Sequence, residues 1–196
     1  FWFSGPIVEK LGPLGLLTTS AILAIAGLYL LSSASGLAMI FVFATLYGFG
    51  KTFFWPTTLG VVSEQCPKGG ALTLNAIAGI GMLAVGILGG PVIGKMAEDA
   101  VKVSVVSATS EETYGKISKD STYFLGDYTA VELAKVDALE GDEKDTVKHS
   151  IQVGKQASLA TVAIFPVFML VCYLALTFYF KGRGGYKPVE LEESKS

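Results

Sequence analysis

Residues 14–33, 37–62 and 71–96 are almost wholly apolar, and each reaches the roughly 20 residues that a helix needs to cross about 30 Å of hydrocarbon. A fourth such stretch, 159–180, follows a polar segment, and residues 1–8 read as the tail of a further span whose beginning lies outside the sequence. Hydrocarbon offers no partner for peptide groups, so these stretches must fold as helices. The expected class is an all-α membrane protein, a transmembrane helix bundle of about four full spans plus a partial one.

Composition agrees. Apolar residues make up 51% of the chain and charged residues only 16%, which departs from soluble domains in both directions. A net charge of −2 without a basic cluster argues against nucleic acid as a partner. Cys66 and Cys172 lie at or within apolar segments, and His149 has no second ligand type near it, so neither a disulfide framework nor a metal site can be drawn. No cofactor is expected. No histidine, cysteine or carboxylate cluster occurs at membrane depth, so no catalytic residue is named and an enzyme is not expected.

The connections divide the chain into residues 1–98, with short turns between spans, a polar segment 99–156, a last helix 157–181 and a tail 182–196. The turns 9–13 and 64–70 carry Lys10 and Lys68, and Lys181, Arg183 and Lys187 follow the last span. The positive-inside rule puts these features in the cytoplasm and the acidic 99–156 segment outside. Within that segment VKVSVV (101–106) alternates like a short strand. Residues 129–156 read as one or two helices broken at Gly141, the second running toward the last span. A solvated connector is the expected role.

A lysine then stands inside an apolar, aromatic run, GFGKTFFWPTTLG (48–60). The GKT does not complete a phosphate-binding loop, because position 45 is Thr45 rather than glycine and no strand precedes it. Lys51 falls near the middle of its span, where a charge costs at least about 2.5–3.5 kcal/mol and demands a partner or a wet cavity. Tyr47, Trp55 and Thr58 are spaced to share its helical face. With Phe54 beside them and Asn75 on the next span, they form a candidate substrate-binding set in which rings stack on a solute or hold a cation. Pro56 removes a backbone hydrogen bond next to Lys51 and predicts a bend. Gly79, Gly86, Gly90 and Gly94 include two consecutive G-x-x-x-G spacings, which predict close helix packing or sliding.

These residues resemble the C-terminal half of a major facilitator superfamily transporter. SGPIVEKLGPLGLL (4–17) is similar to the second copy of that family's cytoplasmic G-x-x-x-D-R-x-G motif, with Gly5, Glu9, Lys10 and Gly12 at the glycine, acidic, basic and glycine places. FFWPTTLGVVSEQCPKGGALTLNAIAGIGM resembles the tenth helix, tight turn and eleventh helix of bacterial members, including the fucose-permease-like sugar branch. The loop before the last helix is longer than usual there, and the tail lacks the sugar-porter P-E-[ST]-K-G pattern. The resemblance implies a bacterial inner-membrane location with a cytoplasmic C-terminus, and alternating access, in which two bundles rock about a midplane site. The implied partners are the lipid bilayer, a small-molecule solute, N-terminal helices of the same protein and a coupling ion carried on them.

The expected function is therefore secondary transport of a small polar solute, a sugar or related metabolite. An anionic solute paired with Lys51 is the alternative. A tetraspanin-like scaffold would need disulfides in the large loop, and residues 98–156 contain no cysteine.

Overall fold

The computed structural model describes residues 4–123 and 126–189. Its elements are α1 (Ser4–Ser32), α2 (Leu37–Thr52), α3 (Phe54–Gln65), a 3₁₀ turn (Pro67–Gly69), α4 (Gly70–Ala84), a π turn (Val85–Gly89), α5 (Gly90–Ala108), α6 (Glu111–Ile117), β1 (Ser118–Tyr123), β2 (Gly126–Val131), α7 (Leu133–Asp137), α8 (Gly141–Val162) and α9 (Ile164–Gly182). The chain is predominantly helical. Four helical stretches, Leu11–Ser32, Leu37–Gln65, Pro67–Ala108 and Gly141–Gly182, are long and apolar enough to cross a membrane.

Two compact units emerge. The first draws on residues 1–30, 35–82 and 163–196, the second on 31–34 and 83–162. In the first, α1 is broken at Gly12, whose φ of 64° and ψ of 169° leave the helical region just before Pro13. Glycine tolerates positive φ, and a residue preceding proline is pushed out of the α conformation, so the break belongs where the sequence puts it. Leu14, Leu17, Ala21, Ala24 and Leu28 are buried along α1. The α1–α2 pair approaches through small residues: a Cβ on Gly50 would stand 2.7 Å from the Ala24 nitrogen, and one on Gly27 2.7 Å from the Tyr47 Cα. Only glycine permits that approach.

The second unit has its own apolar core. Val101 and Val105 of α5, Tyr114 and Ile117 of α6, Val136 of α7, and Val147 and Ile151 of α8 are all buried in it. The stretch 99–156 is therefore folded around a core rather than strung out. VKVSVV is helix, not strand: Val101 and Val105, one turn apart, are fully buried, whereas Val103 is 70% exposed. The i, i+4 spacing of the buried valines decides against the alternation at 103. Residues 129–131, expected to begin a helix, instead close an antiparallel hairpin in register from Ser118↔Val131 to Tyr123↔Gly126. The all-helical expectation thus gains one two-stranded element. After it, α7 and α8 are separate helices, and Gly141 with φ 63° stands at the start of the second.

Local chemistry fixes these pieces. The Ser110 hydroxyl accepts from the Thr113 N–H at 3.1 Å, capping α6, with Glu111 and Glu112 in its first turn. The Thr113 hydroxyl donates to Glu143 at 3.1 Å, and Glu98 accepts from the Val131 N–H at 3.0 Å, tying β2 to α5. Burial raises the Tyr114 phenol above its ordinary pKa; its hydroxyl donates to the Thr129 carbonyl at 3.3 Å. The Gln156 amide donates to the carbonyls of Leu31 (3.0 Å) and Ala34 (2.6 Å). It thereby adds a donor at the end of α1, where the Leu31 carbonyl also accepts from the Ala34 N–H at 3.3 Å.

The tightest crossing is between α5 and α8. A Cβ on Gly154 would lie 2.6 Å from the Val101 Cα and 3.0 Å from the Ala100 carbonyl oxygen, so both backbones must separate to admit it. Gly154→Ala is expected to destabilise the second unit by about 1–3 kcal/mol. Hydrogen exchange at the α5 and α8 amides should accelerate, while Gly115→Ala, where no atom lies within 4 Å of the added carbon, leaves exchange unchanged. Equal exchange in the two variants would refute the crossing.

Candidate functional site

The span carrying Lys51 is two helices. Pro56 has no N–H to offer the Thr52 carbonyl, and the chain leaves regular helix at Phe53 (φ −89°, ψ −13°) before α3 resumes. The Thr57 N–H then bonds the Phe53 carbonyl at 3.2 Å. This interruption of the helix falls between Lys51 and Trp55.

Phe54 and Thr58 turn to α9: the Phe54 and Tyr173 rings lie 6.2 Å apart at 34°, and the Thr58 hydroxyl stands near the Tyr173 phenol. Trp55 faces α4, where its ring edge would lie 3.1 Å from a Cβ on Gly81. Tyr47 packs over Gly27 of α1. Lys51 and Asn75 are exposed, and neither forms a hydrogen bond or ion pair among the described residues. The structure thus brings Phe54 and Thr58 together and sends Trp55 and Tyr47 to other helices.

The glycines singled out in the third span behave differently from Gly27, Gly50 and Gly154. Around Gly79, Gly86 and Gly94 no atom lies within 4 Å of an added Cβ, and Gly90 meets only the Val85 carbonyl of its own turn. They leave an open strip. Of the loop motif, Gly12 makes the break described above; Gly5, Glu9 and Lys10 ride on the turns before it, and their side chains lie outside the described part.

Tyr173 was not foreseen, although a tyrosine amid the apolar residues of a span is a signal that could have found it. A second unforeseen constellation joins the tail to the end of α3. The Tyr186 hydroxyl donates to the Glu64 carboxylate at 2.6 Å, the Gln65 amide to the Lys187 carbonyl at 2.9 Å, and the Val189 N–H to the Glu64 carbonyl at 2.9 Å. The Phe180 ring meets Tyr186 edge-on at 5.1 Å, and the Arg183 guanidinium lies 4.7 Å over Tyr179. Burial and the Glu64 carboxylate push the Tyr186 phenol up to about 12.

No family model, curated protein or solved structure matches this chain.

Two outcomes follow from this geometry. Pro56→Ala restores a donor to the Thr52 carbonyl, so α2 and α3 should merge; spin labels at residues 40 and 64 should move apart, and an unchanged distance would dismiss proline as the cause of the break. Tyr186, with a folded pKa near 12 against 10.0 unperturbed, contributes stability that is fully present below pH 10 and lost as pH rises toward 12, because the unfolded chain ionises first. Ultraviolet titration of wild type minus Tyr186→Phe should show a tyrosinate appearing near pH 12. A midpoint near the ordinary value would dissolve the tail contact.

Proposed function

We propose that the chain is part of a secondary transporter that moves a small polar solute across a membrane by alternating access, in the manner of the major facilitator superfamily. The observation that carries this reading is Lys51, an exposed cation without a side-chain partner among the described residues, set at a proline-directed break inside an apolar span. A charge at that depth is tolerated where it meets water, a counter-charge or a solute, and a broken helix frees carbonyls for the same purpose. Phe54 and Thr58 follow that break, and with Tyr173 of α9, whose ring lies 6.2 Å from that of Phe54, they offer ring faces and hydroxyls that suit a sugar or related metabolite.

A second reading has its own support. Among the described residues Lys51 pairs with no carboxylate, so an anionic solute such as a sugar acid would supply the missing charge. On either reading the basic turns and tail face the cytoplasm of a bacterial cell, in line with the positive-inside rule.

Thermal-shift measurements on the detergent-solubilised protein, with sugars and organic acids screened against wild type and Lys51→Ala, test both. A sugar that stabilises both forms assigns recognition to the aromatic residues. An acid that raises the melting temperature of wild type alone makes Lys51 its counter-charge. Absence of stabilisation by any solute in either form, in a protein that transports none of them in vesicles, would remove the transporter reading.

A further inference from the structure

In the second unit an open cleft of about 700 Å³ lies between the start of α5 and strand β2. That is within the range of sites that take small ligands. Gly90, Pro91, Gly94 and Met96 give it mostly apolar walls, and Lys95, Asp99 and Tyr128 are its polar lining. Its position follows from a local irregularity. Pro91 cannot donate to the Ile87 carbonyl, and the helix widens into the π turn Val85–Gly89, where the Gly90 N–H reaches back five residues to the Val85 carbonyl. Two glycines then leave the floor bare of side chains.

The charges of α5 divide cleanly. Glu98 is committed to the Val131 N–H, and Lys102 lies 5.7 Å over the Tyr114 ring. Lys95 and Asp99 have no such engagement: both line the cavity, and neither forms a hydrogen bond or ion pair among the described residues. They stand four residues apart, a spacing that puts side chains on one helical face about 5–6 Å apart. A cation and an anion held side by side are complementary to a zwitterion whose acid group meets Lys95 and whose ammonium meets Asp99. An anion alone would be repelled by Asp99, and a cation alone by Lys95. The Tyr128 hydroxyl, without a hydrogen-bond partner among the described residues, can donate to the acid group.

The sequence indicates where such a ligand comes from. Residues 69–94 carry no charge at all, and Lys95 is the first charged residue after that run. The cavity therefore straddles the point at which the third apolar stretch becomes polar, with apolar walls before Lys95 and ionic groups from it onward. We propose that it binds a zwitterionic phospholipid of the ethanolamine type, with the phosphate on Lys95 and Tyr128, the ammonium on Asp99, and the upper acyl chains along Pro91 and the glycine floor.

The test is native mass spectrometry of the full chain in mild detergent, after equilibration with equimolar phosphatidylethanolamine and phosphatidylglycerol. Phosphatidylethanolamine should be retained preferentially, and Lys95→Gln and Asp99→Asn should each weaken its retention by about tenfold, the scale of one charge-assisted contact. Exchanging both charges, Lys95→Asp with Asp99→Lys, should recover retention, which a merely structural role would not. Equal retention of the anionic lipid, or single variants that hold lipid as wild type does, would overturn the proposal. So would displacement of the lipid by millimolar leucine but not by glycerophosphoethanolamine, which would give the cavity to an amino acid.

Discussion

Peptide groups inside hydrocarbon have no water to fall back on, and nearly every irregularity in this protein can be traced to how the chain meets that condition. Where a donor is missing, the cause is proline. The Thr52 carbonyl loses its partner to Pro56, the Ile87 carbonyl to Pro91, and the Val162 carbonyl to Pro166. The responses are of two kinds. At Phe53 and Ala163, each three residues ahead of a proline, the chain turns out of regular helix and restarts, with closely similar N–H bonds of 3.2 Å and 3.1 Å from the residue after the proline. At Val85–Gly89 the helix widens instead, where Gly86, Gly89 and Gly90 in and after the turn leave room for a five-residue return.

These irregularities position the chemistry. Lys51 stands just ahead of the break at Phe53, and Lys95 and Asp99 follow the widened segment along α5. Charge near a broken helix is economical in one respect: freed carbonyls and polar side chains share the same requirement for a polar partner. The regular parts of the apolar helices contain no comparable feature, and many of their large side chains, such as Leu72, Met82 and Phe168, are exposed to surroundings suited to lipid or to other helices.

What could be read in the sequence was what a single segment decides by itself. The four apolar helices were legible because length and apolarity are local, and the bend at Pro56 because proline removes a specific donor. The break at Gly12 was likewise announced by the dipeptide Gly12-Pro13. Partner-dependent features were not legible. Gly27, Gly50 and Gly154 look like any glycine until the facing backbone is known, while the regularly spaced Gly79, Gly86 and Gly94 drew notice and meet nothing within 4 Å. The hairpin 118–131 was hidden by short strands of mixed polarity, and Val101 and Val105 imitated strand alternation because Val103 lies between them. Of the residues around Lys51, Phe54 and Thr58 turn to Tyr173, Trp55 to Gly81 and Tyr47 to Gly27, contacts set by neighbouring helices that spacing within one segment does not announce.

The Gln156 amide that closes the end of α1 also bears on the order in which the protein can be made. A chain emerging from its N-terminus presents the Leu31 and Ala34 carbonyls long before residue 156 exists, and the α5 backbone long before Gly154 can settle on Val101. Until α8 is made, the last turn of α1 lacks this contact. Completion of α8 then supplies the Gln156 contact and the core crossing in one event, so a nascent chain truncated before residue 154 lacks both.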